Sequence, residues 1–159
     1  MIEQARDFAI QAHGSQIYGI DFPYSWHLEK VATLAERLGY PEEVVAACWL
    51  HDTVEDTDVT TDQLRELFPE VVVKAVLAVT YSKDSGEDKI EKAMSDPIGH
   101  VVKYCDASVN FSASVLYGPR PGASQYEGAV ERYPVYVKKL HENLPTPPEI
   151  QLLLGRHAS

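Results

Sequence analysis

Leu50-His51-Asp52-Thr53-Val54-Glu55-Asp56-Thr57-Asp58 places an adjacent His-Asp pair at the end of an apolar run, with two more acids directly after it. Val44, Val45, Ala46, Ala47, Cys48, Trp49 and Leu50 lead into the pair, so the chain is expected to be buried where the first acid falls. An ionised carboxylate in such a place is costly unless it is paired or binds a cation. Imidazole beside carboxylate suits a divalent ion such as Mn²⁺, Fe²⁺ or Zn²⁺. If the helical turn continues that far, His51/Glu55 and Asp52/Asp56 each share a face. One stretch can then bind a metal and offer an acid or base beside it.

Two other segments converge on the same chemistry. Tyr24-Ser25-Trp26-His27 opens a helix, read over 26–39, whose apolar stripe runs Val31, Leu34, Ala35, Leu38, with His27 one turn before Val31. Pro97 to Asn110 reads as a helix with Ile98, Val101, Val102, Cys105 and Val109 inward; Asp106 falls at the edge of that face and Asn110 one turn beyond. Three predicted helices thus each carry a metal-ligand residue type on or beside a buried stripe, which chance explains poorly.

The remaining chain reads as helix after helix. Residues 2–13 are amphipathic with Ala5, Phe8, Ala9 and Ala12 inward, and Gly39 ends the second helix. Pro41 opens 42–52, where its missing N–H is harmless. Thr60 or Thr61 caps 61–68, and counting from Thr61 finds no Glu at the capping-box position. The Val-rich 70–79 is helix rather than strand because Val72, Val76 and Val79 fall at helical spacing. Pro134 is expected to kink or divide the helix that carries Tyr133 and Tyr136, two rings read as core. A short last helix follows Pro147, with leucines free to meet the core or another subunit. The fold class is all-α, a compact helical bundle with a metal site between helices.

At this point the chain resembles the HD-domain phosphohydrolases, and most of all the (p)ppGpp-degrading domain of Rel/SpoT enzymes and the short free-standing alarmone hydrolases. The matching pieces are Ala12-His13-Gly14-Ser15-Gln16, Pro23-Tyr24-x-x-His27, His51 to Asp58, Thr60 to Phe68, Val79-Thr80, Lys103-Tyr104-Cys105-Asp106 and Asn110. They span residues 2–143 and leave 144–159 as a helical tail. The resemblance implies a metal site of His27, His51, Asp52 and Asp106, occupied by Mn²⁺ in the alarmone branch. It implies that Glu55 and Asp56 handle the attacking water and the proton, that Asn110 helps hold the nucleotide, and that pyrophosphate leaves from the 3′ position.

Departures from the family pattern bear on the substrate. After Gln16 the family carries basic residues that meet the base and phosphates, whereas Ile17-Tyr18-Gly19-Ile20-Asp21-Phe22 has none. Tyr18 can stack on a base but cannot neutralise phosphate. Leu28 follows His27 where proline is common, and Ala107 follows Asp106 where the long Rel enzymes have arginine. Three function classes stay open: an alarmone-type 3′-pyrophosphohydrolase, an HD nucleotidase releasing orthophosphate from nucleoside monophosphates, and a non-catalytic nucleotide-binding protein. Glu55-Asp56 behind the His-Asp pair favours the first.

With 159 residues and 45% hydrophobic content, one globular domain is expected over 1–159. A net charge of −10 argues against duplex nucleic acid, whose binding rests on Lys/Arg neutralisation of phosphates, but not against a single nucleotide. Lys30, Lys89, Lys92, Lys103 and Arg132 are the candidate cations, and Lys103 stands out one turn before Asp106. No apolar run reaches transmembrane length and the N-terminus reads as a helix rather than a signal peptide, so a cytoplasmic protein is expected by default. Cys48 and Cys105 read as small buried hydrophobes. His13 belongs near the pocket mouth, and His100, His141 and His157 are expected at the surface or rim. Two loops carry alternatives: 82–88 is a substrate-side loop or a solvated connection, and 117–123 brings Arg120 to phosphate or simply connects.

Overall fold

The structure is a computed structural model that describes residues 1–118 and 126–157. Ten α-helices follow one another among these residues: α1 (Ile2–His13), α2 (Tyr24–Arg37), α3 (Glu42–Leu50), α4 (Thr53–Asp56), α5 (Thr61–Leu67), α6 (Glu70–Val79), α7 (Lys89–Met94), α8 (Pro97–Tyr117), α9 (Ala129–His141) and α10 (Pro147–Leu153). Between α1 and α2 lies a small antiparallel pair, β1 (Ile17–Tyr18) and β2 (Phe22–Pro23), in the register Ile17↔Pro23 and Tyr18↔Phe22. None of the described helices is long and apolar enough to cross a membrane.

The apolar run before His51 becomes the central helix. Every residue of α3 from Glu43 to Leu50 is buried, and α3 packs against α1, α2, α6 and α8. A helix apolar all round has no solvent face to offer and so takes the middle of the bundle. The core of Leu28, Val31, Val44, Leu50, Val72, Val76 and Val101 gathers around it.

Several expectations are refined. The predicted helix 42–52 stops at Leu50; His51 and Asp52 form a turn before α4 starts. The helix of Asp106 continues past Asn110 to Tyr117. α9 runs through Pro134 unbroken. Pro134 offers no N–H to the carbonyl of Val130, a residue exposed on the outside of the bundle. The cap of α5 is Thr60, and a full capping box forms with Gln63 in the role expected of Glu. The short α7 carried no periodic signal; Asp88 caps it by accepting the N–H groups of Ile90 and Glu91 at 2.9 and 3.0 Å. His100 is buried rather than at the surface, its Nε2 donating to the Leu140 carbonyl at 2.6 Å and tying α8 to the end of α9. The polar stretch 82–88 is exposed and holds one 3₁₀ turn, Lys83–Ser85. Arg120 lies outside the described residues.

Candidate metal centre and its pocket

Three helices deliver the ligand types to one point. His27 comes from the first turn of α2, His51 and Asp52 from the turn after α3, and Asp106 from the middle of α8. His27 Nε2 lies 3.0 Å from Asp106 Oδ1 and 3.9 Å from Asp52 Oδ2. His51 Nε2 lies 2.9 Å from Asp52 Oδ2 and 3.3 Å from Asp106 Oδ1. One ligand atom from each residue falls within 4.8 Å of all the others. His27, His51 and Asp106 are buried and Asp52 half-buried.

Two details fit a cation at this point. The Cys48 carbonyl, 2.7 Å from His51 Nδ1, can only accept, so Nδ1 carries a proton and the ring aims Nε2 at the carboxylates. That buried Nε2 has no hydrogen-bond partner among the described residues, although two carboxylate oxygens stand close by. Two imidazole nitrogens and two carboxylate oxygens suit the borderline divalent ions.

The cluster is held from outside as well. Tyr24 donates its hydroxyl to Asp52 Oδ2 at 2.7 Å. Lys103 Nζ reaches Asp106 Oδ2 at 3.1 Å, and Asn110 Nδ2 reaches Asp106 Oδ1 at 3.0 Å. Tyr18 donates to Asn110 Oδ1 at 2.6 Å and stacks on the His27 ring with centroids 4.5 Å apart. Burial disfavours charge on His51, yet Asp52 and Asp106 outweigh it and hold the imidazole well above its ordinary range. Burial likewise pushes Asp106 up, but Lys103 and His51 hold it well below the usual carboxylate range. Charge in the site is therefore mutually compensated rather than removed.

A cavity of ≈ 260 Å³ opens over the cluster, lined by His27, Asp52, Asp106, Glu55, Asp56, Asn110, Tyr18 and Lys103, while His51 is buried outside the lining. Glu55 and Asp56 stand on its rim. Burial and the neighbouring acids raise both carboxyls, opposed at Glu55 by the Tyr81 N–H at 2.6 Å and at Asp56 by the Tyr24 hydroxyl at 3.3 Å. Gln16 fixes α4 by donating to the Asp56 carbonyl at 2.7 Å, and His13 stacks on Tyr24 at 4.5 Å.

The lining also holds residues that no sequence signal placed there. Tyr24 was legible only as part of a motif, without its link to Asp52. Tyr133, read as core, is half-buried on the cavity wall with Tyr126. Of the candidate cations outside the motif, Lys89 faces the cavity, its Nζ 5.0 Å from the Tyr136 ring centre and 5.9 Å from that of Tyr81. Lys92 is turned to the Thr80 carbonyl at 2.8 Å, and Lys30 lies over Trp26 elsewhere.

A helical bundle with a two-His, two-Asp cluster between three of its helices defines a metal-binding class. Within that class the chain belongs to the HD-domain family, whose model matches residues 5–96. It is 42% identical over 79 residues to a guanosine-3′,5′-bis(diphosphate) 3′-pyrophosphohydrolase of Aquifex aeolicus, covering 50% of this chain and 11% of that protein. It is 32% identical over 141 residues to a probable GTP pyrophosphokinase of Mycobacterium leprae, covering 82% of this chain and 18% of that one. The chain therefore spans a small part of the length of these relatives. Among solved structures, a metazoan ortholog of SpoT, described as hydrolysing ppGpp with a role in starvation responses, superposes with a TM-score of 0.73. That match has 26% identity and covers 97% of this chain and 91% of the other.

Proposed function

We propose that the protein is a metal-dependent phosphohydrolase that removes the 3′-pyrophosphate of a (p)ppGpp-like nucleotide. The observation that carries this reading is the convergence of His27, His51, Asp52 and Asp106 with Glu55 and Asp56 on the rim of the same cavity. The four would hold a divalent cation, Mn²⁺ by preference. When bound, such an ion polarises a phosphoryl oxygen and makes a water more acidic.

The chain's own groups account for the rest. Hydrolysis breaks the bond between the 3′ oxygen and the proximal phosphorus; the water oxygen ends on pyrophosphate and the sugar oxygen takes up a proton. Glu55 and Asp56, whose carboxyls burial and the neighbouring acids raise, take the proton from the water and supply one to the leaving oxygen. Lys103 fixes Asp106 and leaves Lys89 as the ammonium that meets the phosphates. Asn110, oriented by Tyr18, holds the nucleotide, and Tyr18 adds its ring to the wall beneath it.

A second reading, orthophosphate release from nucleoside monophosphates, is favoured by one feature. Among the described residues Lys89 and Lys103 are the only lysines or arginines lining a cavity of ≈ 260 Å³, which is little charge and room for a tetraphosphate. Purified protein with Mn²⁺ should be offered ppGpp, ppApp, pppGpp and nucleoside monophosphates, with Asp52→Ala beside it. Pyrophosphate from a 3′-pyrophosphorylated nucleotide, lost in the variant together with bound metal, is the expected result. Orthophosphate from monophosphates would replace the first reading by the second. Turnover or stoichiometric metal persisting in Asp52→Ala would sink the site assignment.

A further inference from the structure

A second cavity among the described residues is larger than the one over the metal cluster. A groove of ≈ 550 Å³ runs between α2 and α8, walled by Trp26, Leu34, Leu38, Val109, Leu116 and Tyr117. Leu34, Leu38 and Val109 belong to stripes that spacing assigns to the core. The two helices nevertheless leave that surface open: Leu38 is 43% and Leu116 68% exposed. Contiguous apolar surface facing water commonly marks a binding site, and a concave one of this size suits a small ligand.

The charge at its edge narrows the ligand. Acids outnumber bases 24 to 14 in this chain, yet among the described residues the one charged side chain in the lining is the exposed Lys30. Its ammonium stands 5.8 Å from the Trp26 ring centre, and no carboxylate of the described residues joins it in the groove. An apolar trough with a single uncompensated cation at its rim is complementary to a molecule with an apolar body and one anionic head. We propose that the α2–α8 groove binds an amphipathic monocarboxylate, its chain between Leu34, Val109 and Leu116 and its head on Lys30.

Trp26 makes the site readable. Its ring stacks on Phe22 at 4.3 Å and meets Tyr18 at 5.5 Å, and Tyr18 in turn stacks on His27. The probe is dodecanoate, below its micellar concentration, titrated by calorimetry and by tryptophan emission. We expect one molecule bound per chain, an emission change that disappears in Trp26→Phe, and far weaker binding of dodecyltrimethylammonium. Lys30→Glu and Leu116→Glu should each weaken dodecanoate at least about tenfold, while Lys30→Arg keeps it. Both positions are exposed, so the fold should survive, and an unchanged melting temperature checks that. Absence of saturable binding, equal binding of the cationic amphiphile, or indifference to both charge changes would overturn the proposal. So would sedimentation showing a dimer that Leu116→Glu dissociates, because the groove would then seat a second copy of the chain.

Discussion

Glu55 is the group on which the proposed proton transfer turns, and it stands outside the two-His, two-Asp cluster, in a group of carboxylates with Asp52 and Asp56. Its carboxylate is fixed by the Tyr81 N–H rather than by His27, His51 or Asp106. Glu55→Ala should therefore keep the metal and lower kcat by about 10²–10⁴-fold, the usual contribution of a positioned acid–base group. Metal content measured beside single-turnover rates separates the two effects, and an unchanged kcat would remove Glu55 from the chemistry. Lys89 gives the pH dependence. Burial, then the charges of Lys103 and Arg132, lower its pKa below that of an ordinary lysine. The protonated form is the one that attracts phosphate, so attraction is full below the lowered pKa and lost as pH rises through it. KM for a phosphorylated substrate should thus climb on the alkaline side earlier than a free lysine would dictate. In Lys89→Arg that limb should vanish, since a guanidinium stays charged across the range. A KM profile identical in both proteins would take Lys89 out of substrate binding.

At the scale of the elements, Gly99 lets α8 approach its neighbours. A Cβ there would stand 2.9 Å from the Cβ of Ala78, 3.2 Å from the Ala93 carbonyl and 3.4 Å from that of Ala75. Backbone and Cβ atoms cannot swing aside as a long side chain can. Gly99→Ala should cost about 1–3 kcal/mol, seen as a lower urea midpoint. Because α8 carries Asp106, Mn²⁺ affinity should fall in the same variant; a midpoint equal to wild type would mean that α8 has room to shift. The same elements mark what the sequence made legible. α6 follows its predicted bounds and α3 is as buried as its apolar run requires. The four ligand types were readable because each stands at the end or edge of such a run. The Tyr24–Asp52 hydrogen bond was not, because it joins α2 to a turn 28 residues away and leaves no local periodic trace. The two-residue strands and α7 are too short to show a period. Leu38 was read as core because spacing reports which face is apolar, whereas the distance between two helices decides whether that face is covered.

At the scale of the whole molecule, the C-terminal segment is fastened back to the central helix. Ile150 on α10 is fully buried in the main core, while Leu152 and Leu153 are each 64% exposed, so one side of a short helix holds it down. Beyond α10, Arg156 spans 113 residues of sequence to grip Glu43 on α3 with both guanidinium arms, one contact at 3.0 Å and the other, Nη2 to Oε1, closer still. Glu43 is 5% exposed, and a buried carboxylate left unpaired is costly. A bidentate pair also fixes direction, which a single lysine would not. Arg156→Ala should therefore loosen both ends of the link. Amide exchange should speed up across α10 and at the start of α3, lower the urea midpoint, and leave α8 as protected as before. Arg156→Lys should recover only part of the protection, because an ammonium offers a point charge where the site is built for a fork. If exchange in α10 did not change, the apolar contacts of Ile150 and Leu154 with the Tyr40–Pro145 hydrogen bond would be holding the tail. Rapid exchange spreading to the turn of His51 and Asp52 would instead show that the clamp also stiffens the end of α3, and metal affinity should then fall with it.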